Sequence, residues 1–229
     1  LVRGDAESFR WSFVLMLIAT VIDATDGTLA RAIRIKEVLP GFDGRRLDDI
    51  VDFLTYTSLP LLLIWRAELL PAGWEGCLLL PLLASAYGFC QVSAKTDDGY
   101  FLGFPSYWNL VAFYLYVLHP PGWLSLALVV GLALLTFVPS RYLYPTQRGR
   151  LNAVTSVLGT AWAGLLVWIL CVLPSGGPSQ QAPGDDRARE LALWSLYFPA
   201  YYMVASWVVS LRVWRKRRRS GDGVRAALS

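Results

Sequence analysis

The sequence predicts an all-α fold: a polytopic bundle of membrane-spanning helices with about seven spans. It forms a single domain over residues 1–229, with a basic tail from about 215. Three observations predict this. Only 17% of the 229 residues are charged, against 55% hydrophobic and a mean hydropathy of +0.44. Soluble domains carry about 25% charged residues. The apolar residues also come in runs long enough to cross a bilayer, which takes about 20 residues. Finally, the basic residues are distributed over the loops with the one-sided bias that orients membrane proteins.

In chain order the apolar runs cover roughly 9–33, 46–68, 74–95, 105–119, 122–140, 151–173 and 190–214. The fourth is short, but its core WNLVAFYLYVL is strongly apolar. The breaks carry turn residues: Pro40-Gly41, Pro71-Ala72-Gly73, Pro120-Pro121-Gly122, Pro145 and the polar stretch 174–184. No internal repeat and no soluble domain interrupts the series. With the side after the first span taken as cytoplasmic, 16 of the 21 Lys and Arg residues fall on that side, including the tail cluster 215–219. The C-terminus is therefore expected in the cytoplasm.

The net charge of +4 is too mild for a nucleic-acid surface, and the basic residues are not interleaved with aromatics. Cys77, Cys90 and Cys171 are widely spaced in apolar runs, which fits neither a disulfide framework nor a zinc site. They read as small buried hydrophobes.

The first two spans hold an anomaly. Asp23 and Asp26 lie in the first, while Asp48, Asp49 and Asp52 open the second. Ionisable residues in spans are costly and point to function. Asp23 and Asp26 are i and i+3, and Asp48 and Asp52 are i and i+4, so each pair shares a helix face. Asp49 points about 100° away. Two helices joined by a short loop would bring four carboxylates together near the cytoplasmic edge. Their repulsion calls for hard divalent cations with oxygen ligands, Mg²⁺ or Mn²⁺. Two such ions suit phosphoryl chemistry. Gly27 and Ala30 leave room for a bulky group, Arg31 offers a fork for phosphate oxygens, and Gly44 permits a second close approach.

The pattern Asp23-x2-Asp26-Gly27-x2-Ala30-Arg31, followed by Gly44-x3-Asp48-x3-Asp52, resembles the signature of the CDP-alcohol phosphatidyltransferases. Twelve residues separate Arg31 from Gly44, a longer gap than that family usually has. The longer gap is similar to that of its bacterial phosphatidylcholine synthase branch. So are the strings DGTLARAIRIKEVLPGFDGRRLDDIVDFLTY and CQVSAKTDDGYFLGFPSYWNLVAFYLY. The resemblance covers about 9–214. It implies that Asp23, Asp26 and Asp48 coordinate metal, with two ions in the site, and that Asp52 is the general base with a share in metal binding. It further implies that Gly27, Ala30, Arg31 and Gly44 receive the cytidine nucleotide and phosphates of CDP-diacylglycerol. Relatives in this branch have one more span before the signature helix, so an N-terminal span is expected to be missing from the chain.

The implied reaction is transfer of a phosphatidyl group from CDP-diacylglycerol to choline, with Mn²⁺ or Mg²⁺ as cofactor, at the cytoplasmic leaflet of a bacterial inner membrane. The partners are then these two substrates and the lipid bilayer, with no nucleic acid and with a homodimer left open. A quaternary ammonium is held best by aromatic faces, and 87–109 is rich in them. Tyr87, Gln91, Tyr107, Trp108 and Asn109 are the candidates there, with Asp97 and Asp98 in the adjoining loop. His119, the single histidine, reads as a loop or cap residue at the far end of its span. The signature does not separate choline from serine, inositol, ethanolamine or glycerol phosphate. Two readings from other classes compete: an ion-coupled transporter, which leaves the Gly-x2-Ala-Arg spacing unexplained, and a non-catalytic scaffold, which needs none of the aspartates.

Overall fold

The structure, a computed structural model, describes residues 1–91, 100–143, 150–173 and 185–226. Helix α1 (Ala6–Ala32) opens on Asp5, whose carboxylate accepts the Ser8 N–H at 2.7 Å. Hydrogen bonding from Ser8 holds that carboxyl below the ordinary aspartate range. At 27 residues, α1 is about 40 Å long, enough to cross a hydrocarbon core of about 30 Å. Its first half is anchored: Phe9, Phe13 and Met16 are buried. Beyond them Ile18, Val21, Ile22 and Leu29 are exposed, an apolar surface suited to lipid.

The chain then turns through Arg34, in the left-handed region at φ 51°, and the short helix α2 (Ile35–Val38). Helix α3 (Gly44–Asp52) starts where the Asp43 carboxylate accepts the Arg46 N–H at 3.3 Å. It continues without a break into a π-helical segment, Phe53–Ser58, and then α4 (Leu59–Arg66). The widened turns have a local cause. Pro60 has no N–H to offer the Tyr56 carbonyl, and the Leu59 N–H reaches back five residues to Leu54.

A 3₁₀ turn (Glu75–Leu78) leads into α5 (Leu79–Cys90). Strand β1 (Tyr100–Leu102) precedes α6 (Trp108–Leu118), α7 (Gly122–Leu135), strand β2 (Arg141–Leu143) and α8 (Arg150–Val172). Helices α9 (Asp185–Ser195) and α10 (Tyr197–Ala226) follow. The fold is thus helical except for one antiparallel ladder among the described residues, with Tyr100 opposite Leu143. Ser210 of α10 fastens that ladder, its Oγ accepting the Arg141 N–H at 2.6 Å.

The run read at 190–214 is two helices, divided at Leu196. Pro199 is the reason: its ring would clash with the Ser195 carbonyl in a continuous helix, but it is tolerated in the first turn of a new one. Among the described residues, two helical stretches are long and apolar enough to cross a membrane, Ala6–Ala32 and Val154–Val172; those at 75–90, 108–118 and 122–135 are apolar but shorter.

The core runs through α1, α4, α6, α7 and α8, with single or paired residues from α5, α9, α10 and β2. Phe13 meets Phe113 edge-to-face at 5.5 Å, and Phe9 meets Tyr116 at 5.6 Å. Trp108 is fully buried and donates its indole N–H to Ser85 Oγ at 2.8 Å. His119 ends α6 in the left-handed region at φ 43°, so it caps the helix. The cysteines depart from the sequence reading: all are free thiols, but Cys90 and Cys171 are exposed on their helices and Cys77 is half-buried. In a bilayer an outward face is as suitable for a small apolar side chain as an inward one, so apolar character does not fix its direction.

Gly103, at φ +84°, follows β1, and a Cβ there would overlap the Thr136 carbonyl oxygen. Gly103→Ala is expected to lower stability by about 1–3 kcal/mol, read as a lower midpoint of thermal unfolding in detergent. Gly131→Ala, where a Cβ meets nothing within 4 Å, is the control and is expected to leave the midpoint unchanged or raise it.

Candidate metal centre

The chain doubles back between α1 and α3, and this brings the first two groups of aspartates together. Asp23, Asp26 and Asp48 each offer a carboxylate oxygen, and these oxygens lie within 4.8 Å of one another. Asp23 is half-buried, while Asp26 and Asp48 are exposed. Two oxygens on one Mg²⁺ are at most about 4.2 Å apart, twice its usual bond length. Oxygens in neighbouring octahedral positions are closer, about 3 Å apart, so the three carboxylates close on a small divalent ion by drawing inward. An all-carboxylate donor set suits Mg²⁺ or Mn²⁺.

Asp52 is half-buried and falls outside this triplet. It ends α3, one turn beyond Asp48. Three of the four signature carboxylates thus share one small volume and the fourth stands beside it. Asp49 is exposed.

Gly27 and Ala30 are half-buried on α1, next to the triplet in sequence. A Cβ at Gly27 would stand 3.4 Å from Arg31 Nη1, so a larger residue there would press on the guanidinium. Arg31 is exposed and donates to Thr28 Oγ1 at 3.0 Å. Among the described residues no carboxylate pairs with it. Gly44 is the first residue of α3, and a Cβ there meets nothing within 4 Å.

The described choline candidates each have their own contacts. Trp108 lies in the core. Tyr87 packs on Phe137 with ring centroids 5.1 Å apart, and Tyr107 meets Tyr202 at 6.4 Å. Asn109 accepts the Leu110 N–H with its own side-chain oxygen, and half-buried Gln91 caps α5. Asp97 and Asp98 lie outside the described residues.

Sequence reasoning missed Tyr56. Its hydroxyl donates to Asp23 Oδ2 at 2.7 Å, across 33 residues of chain. A partial signal was available: Tyr56 is i+4 from Asp52, a polar-tipped ring one turn beyond a signature carboxylate.

A helical membrane protein with a carboxylate triplet on two neighbouring helices is the class that fold and site define. The chain is similar to the phosphatidylcholine synthase of Pseudomonas aeruginosa, 36% identical over 202 residues, which cover 88% of this chain and 78% of that relative. It is also similar to the phosphatidylcholine synthase of Legionella bozemanae, at 40% over 149 residues, 64% of this chain and 69% of that relative. The phosphatidylcholine synthase of Bradyrhizobium diazoefficiens is 40% identical over 167 residues, 72% of this chain and 61% of the relative. No family model matches the chain, and no solved structure is similar to it. The chain belongs to the phosphatidylcholine synthase family.

Proposed function

We propose that the protein is a membrane phosphatidyltransferase that condenses CDP-diacylglycerol with choline to give phosphatidylcholine and CMP. The convergence of the Asp23, Asp26 and Asp48 carboxylates is the observation that carries this reading; membership of the phosphatidylcholine synthase family supports the acceptor. Asp23, Asp26 and Asp48 would hold Mn²⁺ or Mg²⁺, which supplies charge neutralisation at the pyrophosphate.

The remaining steps fall to the chain's own residues. Gly27, Ala30, Arg31 and Gly44 receive the nucleotide end of the donor, with the Arg31 fork on phosphate oxygens. Asp52 accepts the proton of the choline hydroxyl. The choline oxygen forms a bond to the phosphorus that bears diacylglycerol, the pyrophosphate P–O bond breaks, and CMP leaves. Choline is received by the aromatic-rich segment 87–109, where Tyr87, Gln91, Tyr107 and Asn109 are less buried than the core residue Trp108 and so better placed to meet a ligand.

The proposed setting is a single membrane domain of about seven spans over 1–229, in the inner membrane, with the site at the cytoplasmic leaflet and the basic tail in the cytoplasm. Exposed apolar side chains along α1 and the bias of basic residues support it. The test is CMP release by the purified protein in detergent with CDP-diacylglycerol, Mn²⁺ and one alcohol at a time. Choline is expected to give product, and serine, inositol, ethanolamine and glycerol phosphate are not. Product with serine and none with choline would overturn the acceptor. Metal-dependent CMP release with any alcohol would eliminate the transporter and scaffold readings.

A further inference from the structure

Tyr56 is half-buried on the π-helical segment, and its hydroxyl, which also meets the Thr20 side chain, donates to Asp23 Oδ2 at 2.7 Å across 33 residues of chain. Two features of the helix direct it there. Four residues of α-helix overshoot a full turn by about 40°, so a residue at i+8 from Asp48 would drift well away from the carboxylate row. The i→i+5 winding over Phe53–Ser58 takes more residues per turn and pulls Tyr56 back. Pro60, which has no N–H for the Tyr56 carbonyl, favours that winding.

A carboxylate that binds a cation through one oxygen can still rotate about its own axis. A phenol hydrogen-bonded to it fixes its plane. Such partners of metal-binding side chains orient the ligand, and losing one typically weakens metal binding about 10–100-fold. Asp23 is the half-buried member of the triplet, and so the one whose orientation the protein can set. We propose that Tyr56 is a positioning residue that holds the Asp23 carboxylate in the orientation required by the metal site. This rests on the reading of Asp23, Asp26 and Asp48 as a metal centre.

The test is Mn²⁺ titration of the detergent-solubilised full chain, followed by the electron paramagnetic resonance signal of free Mn²⁺, for wild type, Tyr56→Phe and Asp23→Asn. The phenylalanine keeps the ring and removes only the hydroxyl. Tyr56→Phe is expected to bind Mn²⁺ about 10–100-fold more weakly than wild type, with an unchanged unfolding midpoint in the absence of metal. Its CMP release is expected to return to within a few-fold of wild type once Mn²⁺ is saturating, with the KM for choline unchanged. Equal Mn²⁺ affinity in Tyr56→Phe and wild type, with binding lost in Asp23→Asn, would overturn the role of Tyr56 and leave the metal centre standing. A Tyr56→Phe protein that unfolds before titration would assign the hydroxyl a purely structural role and overturn it as well. If wild type itself binds no Mn²⁺, the metal centre and the inference fall together.

Discussion

Asp52→Asn is expected to reduce turnover by about 10²–10⁴-fold, the usual contribution of a general base, while leaving Mn²⁺ affinity within a few-fold of wild type. Both halves follow from the position of Asp52. It lies outside the oxygen triplet, one helical turn beyond Asp48, which belongs to it. The substitution keeps the shape of the side chain and removes its capacity to take a proton. Single-turnover CMP release, with donor and metal saturating, isolates the chemical step from binding. The KM for choline is expected to change little. Unchanged turnover would remove Asp52 as the base, and a parallel collapse of Mn²⁺ binding would make it a metal ligand instead.

The pairing of aspartates was legible in the sequence because helical spacing fixes it locally. The i, i+3 and i, i+4 relations put Asp23 with Asp26 and Asp48 with Asp52 before any tertiary structure is known. Spacing does not say how far one helix slides past the other, however. That offset brings Asp48 into the triplet and leaves Asp52 beside it. It also decides that Tyr56, two turns beyond Asp48, meets Asp23.

The apolar runs similarly located most of the helices, while their interruptions depended on backbone chemistry. Pro60 and Pro199 were visible as residues, but their effects differ with context: one widens a helix that continues, the other starts a new one. The ladder between β1 and β2 was beyond a pattern reading. Strands of three residues are too short to display a period, and their partners lie some forty residues apart on either side of α6 and α7. Trp108 is a further case. Composition identified it as an aromatic in an aromatic-rich segment, whereas only packing reveals that its indole is committed to Ser85 in the core.

Asp48→Asn is expected to weaken Mn²⁺ binding by more than about 100-fold, beyond the effect of losing an indirect partner, and to abolish CMP release at ordinary metal concentrations. Asp49→Asn, one residue along, is expected to change neither by more than a few-fold. The comparison is sharp because the two substitutions are chemically identical and remove the same charge. They differ only in helical direction: Asp48 is a member of the triplet, and Asp49 points about 100° away. A site that worked by diffuse negative charge would respond to both. A site that binds through directed oxygen ligands responds to one. Chelation of wild type with EDTA is expected to stop turnover, and added Mn²⁺ or Mg²⁺ to restore it, in keeping with the preference of carboxylates for hard ions. Equal losses in the two variants would show that the triplet attracts cations without coordinating them, and turnover that persists under EDTA would remove the metal from the reaction altogether.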